Sequence, residues 1–142
     1  MEKQSCGTTF IVNKERTKTV LIYHKKYQNW IQPGGKSTPG EDTKDTAIRK
    51  AYEETGLKVK IVDDKPLYVE EYSNFVGNFV DYQFLAEPVD ENQPLINGPG
   101  SYAIDWFSLD ELNSIPVFPD VKIKLKTIIN PIVEVNIVEE LS

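Results

Sequence analysis

Two adjacent glutamates, Glu53 and Glu54, and two cations one helical turn before them, Arg49 and Lys50, are the residues here whose types and spacing point to chemistry. On a helix, positions 49 and 53 are i, i+4 neighbours, as are 50 and 54, while 50 and 53 are i, i+3. Adjacent carboxylates repel unless a cation stands between them. Hard divalent ions such as Mg²⁺ take carboxylate oxygens of this kind and share them with substrate phosphates. The plain alternative is a solvated helix carrying ordinary surface ion pairs, which are common and weak.

The helix that would carry these groups reads from Glu41 to Thr55. Its acidic start at Glu41, Asp42 and Asp45 suits the positive end of the helix dipole. Asp42 or Thr43 can cap it, and Gly56 stands where a helix commonly terminates. Ala47, Ile48, Ala51 and Tyr52 give it one apolar stripe. Just before it, Trp30-Ile31-Gln32 runs into Pro33-Gly34-Gly35. Proline donates nothing to a sheet ladder and glycine permits backbone conformations other residues avoid, which predicts a tight loop there.

The stretch Gly35 to Leu57, GKSTPGEDTKDTAIRKAYEETGL, resembles the signature box of the Nudix hydrolases. That box runs Gly, five residues, Glu, seven residues, then Arg-Glu-apolar-any-Glu-Glu-any-Gly-apolar. Gly35, Glu41, Arg49, Glu53, Glu54, Gly56 and Leu57 match it, and Ala51 fits loosely. With each fixed type at about 5–7% abundance, such a match arises by chance on the order of once in a million chains of this length. The approach Trp30 to Gly35 and the segment Asp105 to Leu112 resemble the family more weakly.

The resemblance implies an α/β fold, an α/β/α sandwich around a mixed β-sheet. It implies hydrolysis of the pyrophosphate linkage of a nucleoside diphosphate derivative: a nucleoside triphosphate, a nucleotide sugar or a dinucleoside polyphosphate. By position, Glu53 and Glu54 would hold Mg²⁺ or Mn²⁺, and Arg49 would orient them by pairing with Glu41. Gly34, Gly35 and Lys36, with Asp81 on a later strand, are expected at the substrate. Lys50 departs from the pattern, since the family has glutamate there. An ammonium offers three donors and no acceptor, so it neither binds metal nor serves as a base at neutral pH. Thr38 is a smaller departure, because many members carry glutamate at that position. The alternative reading is a catalytically weak or inactive module of the same fold that binds a nucleotide or a protein. A homodimer is also compatible with the resemblance.

The elements around the box are strands first, then the helix, then more strands and a terminal helix. Thr8–Val12 and Thr19–Tyr23 read as a hairpin across the polar turn Asn13 to Arg16. Leu57–Val62, Pro66–Tyr72, Phe79–Ala86 and Ala103–Phe107 read as strands. Val89–Ser101, with its prolines and glycines, reads as a long loop bordering the substrate cleft. Ser108 to Glu111 has capping-box spacing. Asp120 can cap a last helix with Val121, Leu125, Ile128 and Ile129 at helical spacing. The tail from Ile132 to Ser142 fits both periods. This order is not a strict βαβ alternation, which disfavours a doubly wound nucleotide fold.

Other residues carry two readings each. His24 is a base or a structural histidine, and Lys25 and Lys26 meet phosphates or solvate a strand end. Asp81 and Gln83 share a strand face that can reach the cleft. Asp90 and Glu91 supply a further carboxylate or solvate a loop. Trp30, Tyr82, Trp106 and Phe107 stack a base or fill the core. Cys6 reads as a small buried hydrophobe.

The whole sequence, residues 1–142, is one domain's worth of chain, with 16 basic against 22 acidic residues and a net charge of −6. A broad basic face for a nucleic-acid polymer is therefore not expected. No apolar run approaches the roughly 20 residues that span a bilayer, and no signal peptide is visible. With a single cysteine, no internal disulfide can form. These bounds predict a cytoplasmic protein acting on a nucleotide-derived small molecule.

Overall fold

The computed structural model describes residues 3–132. Strand β1 (Gln4–Ile11) is buried from Cys6 onward because both of its faces are covered. Its alternation sends Phe10 to one side and Ile11 to the other. Phe10 joins Val12, Leu21, Leu85 and Phe107 with Val121, Leu125 and Ile129 of the C-terminal helix region. Ile11 joins Val20, Leu57, Val59 and Ala86 with Ala51 of the box helix. Burying each large apolar side chain in these two layers contributes roughly 1.5–3 kcal/mol.

The remaining elements follow in chain order: β2 (Thr19–His24), β3 (Asn29–Ile31), β4 (Gly34–Lys36), α1 (Thr43–Thr55), β5 (Val59–Ile61), β6 (Tyr68–Asn74), β7 (Gly77–Pro88), β8 (Ser101–Phe107), a 3₁₀ turn (Glu111–Ser114) and α2 (Pro119–Ile128). One sheet has the order β4-β1-β7-β5, with β6 also paired to β7; the other is β3-β2-β8. The first sheet is mixed, since β1 and β7 run parallel while β4, β5 and β6 pair antiparallel. Parallel neighbours need a crossover, and α1 lies within it. The result is the expected α/β architecture, a mixed sheet with helices packed against it.

The expected hairpin does not form as read. β1 and β2 share one bridge, Val12 to Thr19, and then part into different sheets. Val12 N–H instead continues the ladder to Ala86 O at 2.9 Å, while β2 pairs with β8 and β3. Asn13 organises the turn between them, its Oδ1 accepting from Thr17 and Lys18 N–H at 2.8 and 2.9 Å.

The expected tight loop at Pro33-Gly34-Gly35 is a correction of the same kind. Gly34–Lys36 is strand, with Gly34 opposite Thr8 and Gly35 opposite Gly7. Glycine is required here for close approach. A Cβ on Gly34 would meet Thr8 Oγ1 and lie 2.9 Å from Gly7 O. A Cβ on Gly7 would meet Thr43 O and lie 2.7 Å from Ala47 N, so this glycine lets α1 settle onto β1.

Helix α1 begins at Thr43, with Asp42 as its cap accepting Lys44 N–H at 2.8 Å. It ends at Gly56, whose φ of +76° is the left-handed stop, its N–H donating to Tyr52 O. Tyr52 leaves the expected stripe at 54% exposed, and Thr46 and Thr55 are buried in its place. Both threonines satisfy their hydroxyls, Thr55 on Ala51 O and Thr46 against Glu41 and Ser37. Ser108 and Glu111 form the expected reciprocal capping box. Asp120 does not cap the last helix; Pro119 opens it and Asp120 sits in its first turn. Except for Ile132, the tail 132–142 lies outside the described residues.

Candidate functional site

Arg49 ties the box together. Its Nε and Nη2 donate to the two oxygens of Glu41 at 2.9 and 3.0 Å. Nη2 also reaches Lys36 O at 3.1 Å, and Nη1 reaches Glu53 Oε2 at 3.0 Å. Glu41 further accepts Thr38 N–H at 3.0 Å and Thr46 Oγ1–H at 2.8 Å. The guanidinium, then the Thr38 amide, hold the Glu41 carboxyl down to about 2. Arg49, and after it Lys50, hold Glu53 below the usual carboxylate range.

Glu54 turns the other way, into a cavity of about 870 Å³. Its Oε1 accepts Gly34 N–H at 2.8 Å, which fixes the carboxylate to β4. Burial pushes its pKa up, and the Gly34 bond and Lys50 oppose that shift. Lys50 shares the same wall, its Nζ 3.2 Å from Glu53 Oε1.

The structure thus brings together Gly34, Gly35, Lys36, Glu54 and Asp81 at the cavity. Arg49, Glu41 and Glu53 do not line it, and Arg49 holds the two carboxylates through its guanidinium. Asp81 accepts Thr8 Oγ1–H at 2.7 Å and Gln83 Nε2–H at 3.3 Å. Burial raises its pKa against those two bonds.

Sequence reasoning did not place four charged residues at this cavity, Glu70, Glu71, Asp120 and Lys124. In the β6–β7 register Glu70 is directly opposite Asp81, and like charges there repel. Lys124, 7% exposed on α2, relieves this: its Nζ donates to Glu70 at 2.5 Å and to Gln83 Oε1 at 3.2 Å. A signal was present, since Lys124 falls on the apolar stripe between Val121 and Leu125. His24 and Lys26 also reach the cavity; His24 Nδ1 accepts Lys26 N–H and its ring stacks on Tyr27 at 4.5 Å.

Other candidates lie elsewhere. Asp90 accepts the amide of Asn92 and Glu91 that of Lys14, and neither reaches the cavity. None of the Val89–Ser101 residues lines it either, contrary to the expected border. That segment packs on the C-terminal end of α1, with Ile96 N–H on Thr55 O at 2.8 Å. Trp30 and Phe107 meet edge to face at 4.7 Å beside the core. Cys6 is buried yet touches the cavity wall.

The NUDIX domain family model matches residues 6–128. The chain belongs to the Nudix family. Among curated Nudix relatives, a putative 8-oxo-dGTP diphosphatase of Bacillus subtilis is 34% identical over 86 residues, which is 57% of this chain and 58% of that protein. An m7GpppN-mRNA hydrolase of Caenorhabditis elegans, dcap-2, is 30% identical over 106 residues, 72% of this chain but 13% of its own length. The mouse protein named nucleoside diphosphate-linked moiety X motif 6 is 44% identical over 52 residues, 37% of this chain and 17% of its length. This chain therefore spans between 13% and 58% of these relatives. Among solved structures, a NUDIX-family hydrolase from Clostridium perfringens superposes with a TM-score of 0.77 at 18% identity, covering 89% of this chain and 96% of that one. A C. elegans Ap4A hydrolase complex gives 0.72 at 19% identity, covering 87% and 93%. These likenesses show the Nudix fold. Among the described residues no helix is long and apolar enough to cross a membrane.

Proposed function

We propose that this Nudix chain hydrolyses the pyrophosphate linkage of a nucleoside diphosphate derivative, using Mg²⁺ or Mn²⁺ held by Glu54 and Glu53. The observation that carries this reading is the loop–helix junction. Glu54 is fixed by Gly34 and faces the cavity, while Arg49 braces Glu41, Glu53 and the Lys36 carbonyl. Relatives named for 8-oxo-dGTP, a capped mRNA and Ap4A support the class, since each of those compounds carries a polyphosphate chain.

The donor set fits an ion that substrate also helps to hold. Mg²⁺ is commonly bound through one or two carboxylates plus substrate phosphates. Glu54 supplies one carboxylate, and Glu53 a second once its Oε1 leaves Lys50. Among the described residues no group of three or more His, Cys, Asp or Glu could hold a metal ion. A bound divalent ion would offset charge on the pyrophosphate oxygens and acidify the attacking water. The chain's own residues do the rest. Arg49 positions the glutamates, Gly34 and Gly35 form the wall the phosphates meet, Lys36 meets their charge, and Asp81 binds a polar group further along the substrate. A cytoplasmic setting belongs to the same proposal.

Lys50 favours a second reading, a module that binds the nucleotide and hydrolyses it poorly. A screen of nucleoside triphosphates, nucleotide sugars and dinucleoside polyphosphates with Mg²⁺ and Mn²⁺, reading phosphate release, separates the two. Metal-dependent release from one class supports the hydrolase; binding without release from any of them supports the second reading.

A further inference from the structure

We infer that Lys50 is a substrate-binding residue whose ammonium takes a non-bridging oxygen of the substrate's diphosphate directly, so that part of the phosphate binding needs no metal. This rests on the proposed substrate class and concerns how this chain, with its lysine on the metal-facing turn of α1, holds such a substrate.

Four features of the cavity carry the argument. Lys50 and Glu54 line it side by side, one helical turn apart. The Lys50 stem is guided by the bare backbone of Gly35, where a Cβ would lie 2.5 Å from Lys50 Cε. The ammonium has one ion-pair partner among the described residues, Glu53 Oε1 at 3.2 Å, and it carries three donors. Lys36, on the adjoining strand, lines the same wall, its Nζ 5.4 Å from the Phe79 ring centroid.

A diphosphate entering here meets the Glu54 carboxylate, which repels it. Of the cavity's other cations, Lys124 is committed to Glu70 deep in the wall. Lys50 is the ammonium beside Glu54, and with Lys36 it sets positive charge on the wall where a diphosphate would otherwise meet that carboxylate alone. Charge-assisted hydrogen bonds to phosphate are among the stronger polar contacts.

Inorganic pyrophosphate is the probe, titrated calorimetrically into the full chain in EDTA. Wild type is expected to bind, with affinity falling as salt rises. Lys50→Gln should weaken binding at least about tenfold, Lys50→Arg should retain it within about threefold, and Lys60→Gln on exposed β5 should leave it unchanged. Thermal melts of each variant register folding. No wild-type binding in EDTA overturns the inference, and so does Lys50→Gln binding as tightly as wild type. Equal losses in the arginine and glutamine variants also overturn it, because the charge would then not be what binds. The assay involves no turnover. A failed substrate screen with pyrophosphate binding intact therefore removes the hydrolase reading and leaves this one standing.

Discussion

Arg49 makes four hydrogen bonds with one planar group, two to Glu41, one to Glu53 and one to the Lys36 carbonyl. A lysine would supply the charge but not the fork that grips both Glu41 oxygens. The consequence is readable in pH. Glu41 titrates at about 2 in the folded chain against an ordinary value of 4.5. Its contribution to stability is therefore fully present above about 4.5 and is lost as the pH falls toward 2. Glu41→Gln should lower the melting temperature at pH 7, and the gap to wild type should close through that window. Melts at fixed ionic strength across the range check this; a gap that stays constant down to about pH 2 contradicts it.

The segment Val89–Ser101 acts as a clasp on α1 rather than a border of the cleft. Gln93 bonds the Lys58 backbone with both ends of its amide, at 2.8 and 3.0 Å, and Ile96 meets Thr55. Gln93→Ala should cost about 1 kcal/mol and leave substrate preference unchanged. Urea denaturation and the substrate screen together test this, and altered preference at unaltered stability would contradict it. What could be read from the sequence at this scale was what is decided locally. Asp42 caps α1, Gly56 stops it, and Ser108 with Glu111 closes a turn, each through partners a few residues away. The hairpin and the glycine loop were misread because their partners are distant. Val12 is claimed by Ala86 on β7, and Gly34 and Gly35 by Thr8 and Gly7 on β1. Glu70 and Lys124 stayed hidden for the same reason, since no local pattern places α2 against the β6–β7 pair.

Across the whole molecule, eight elements from β1 to α2 converge on one cavity. The box supplies the wall that carries Lys50 and Glu54, and the later strands and α2 supply a wall of paired charges. The chain's net charge is −6, and Lys26, Lys36, Lys50 and Lys124 line the cavity together with Glu54, Glu70, Glu71, Asp81 and Asp120. The family and its α/β architecture were legible from 23 residues with the right spacing; the far wall was not, because it is made by sheet register. The central claim is that this cavity hydrolyses a pyrophosphate linkage through Glu54. The most direct measurement is Mg²⁺-dependent turnover of the best substrate from the screen by wild type and by Glu54→Gln. The account predicts release by wild type that EDTA abolishes, and a fall of at least about 10²-fold in a folded Glu54→Gln variant. Wild-type rates in Glu54→Gln, or release that persists in EDTA, would contradict it.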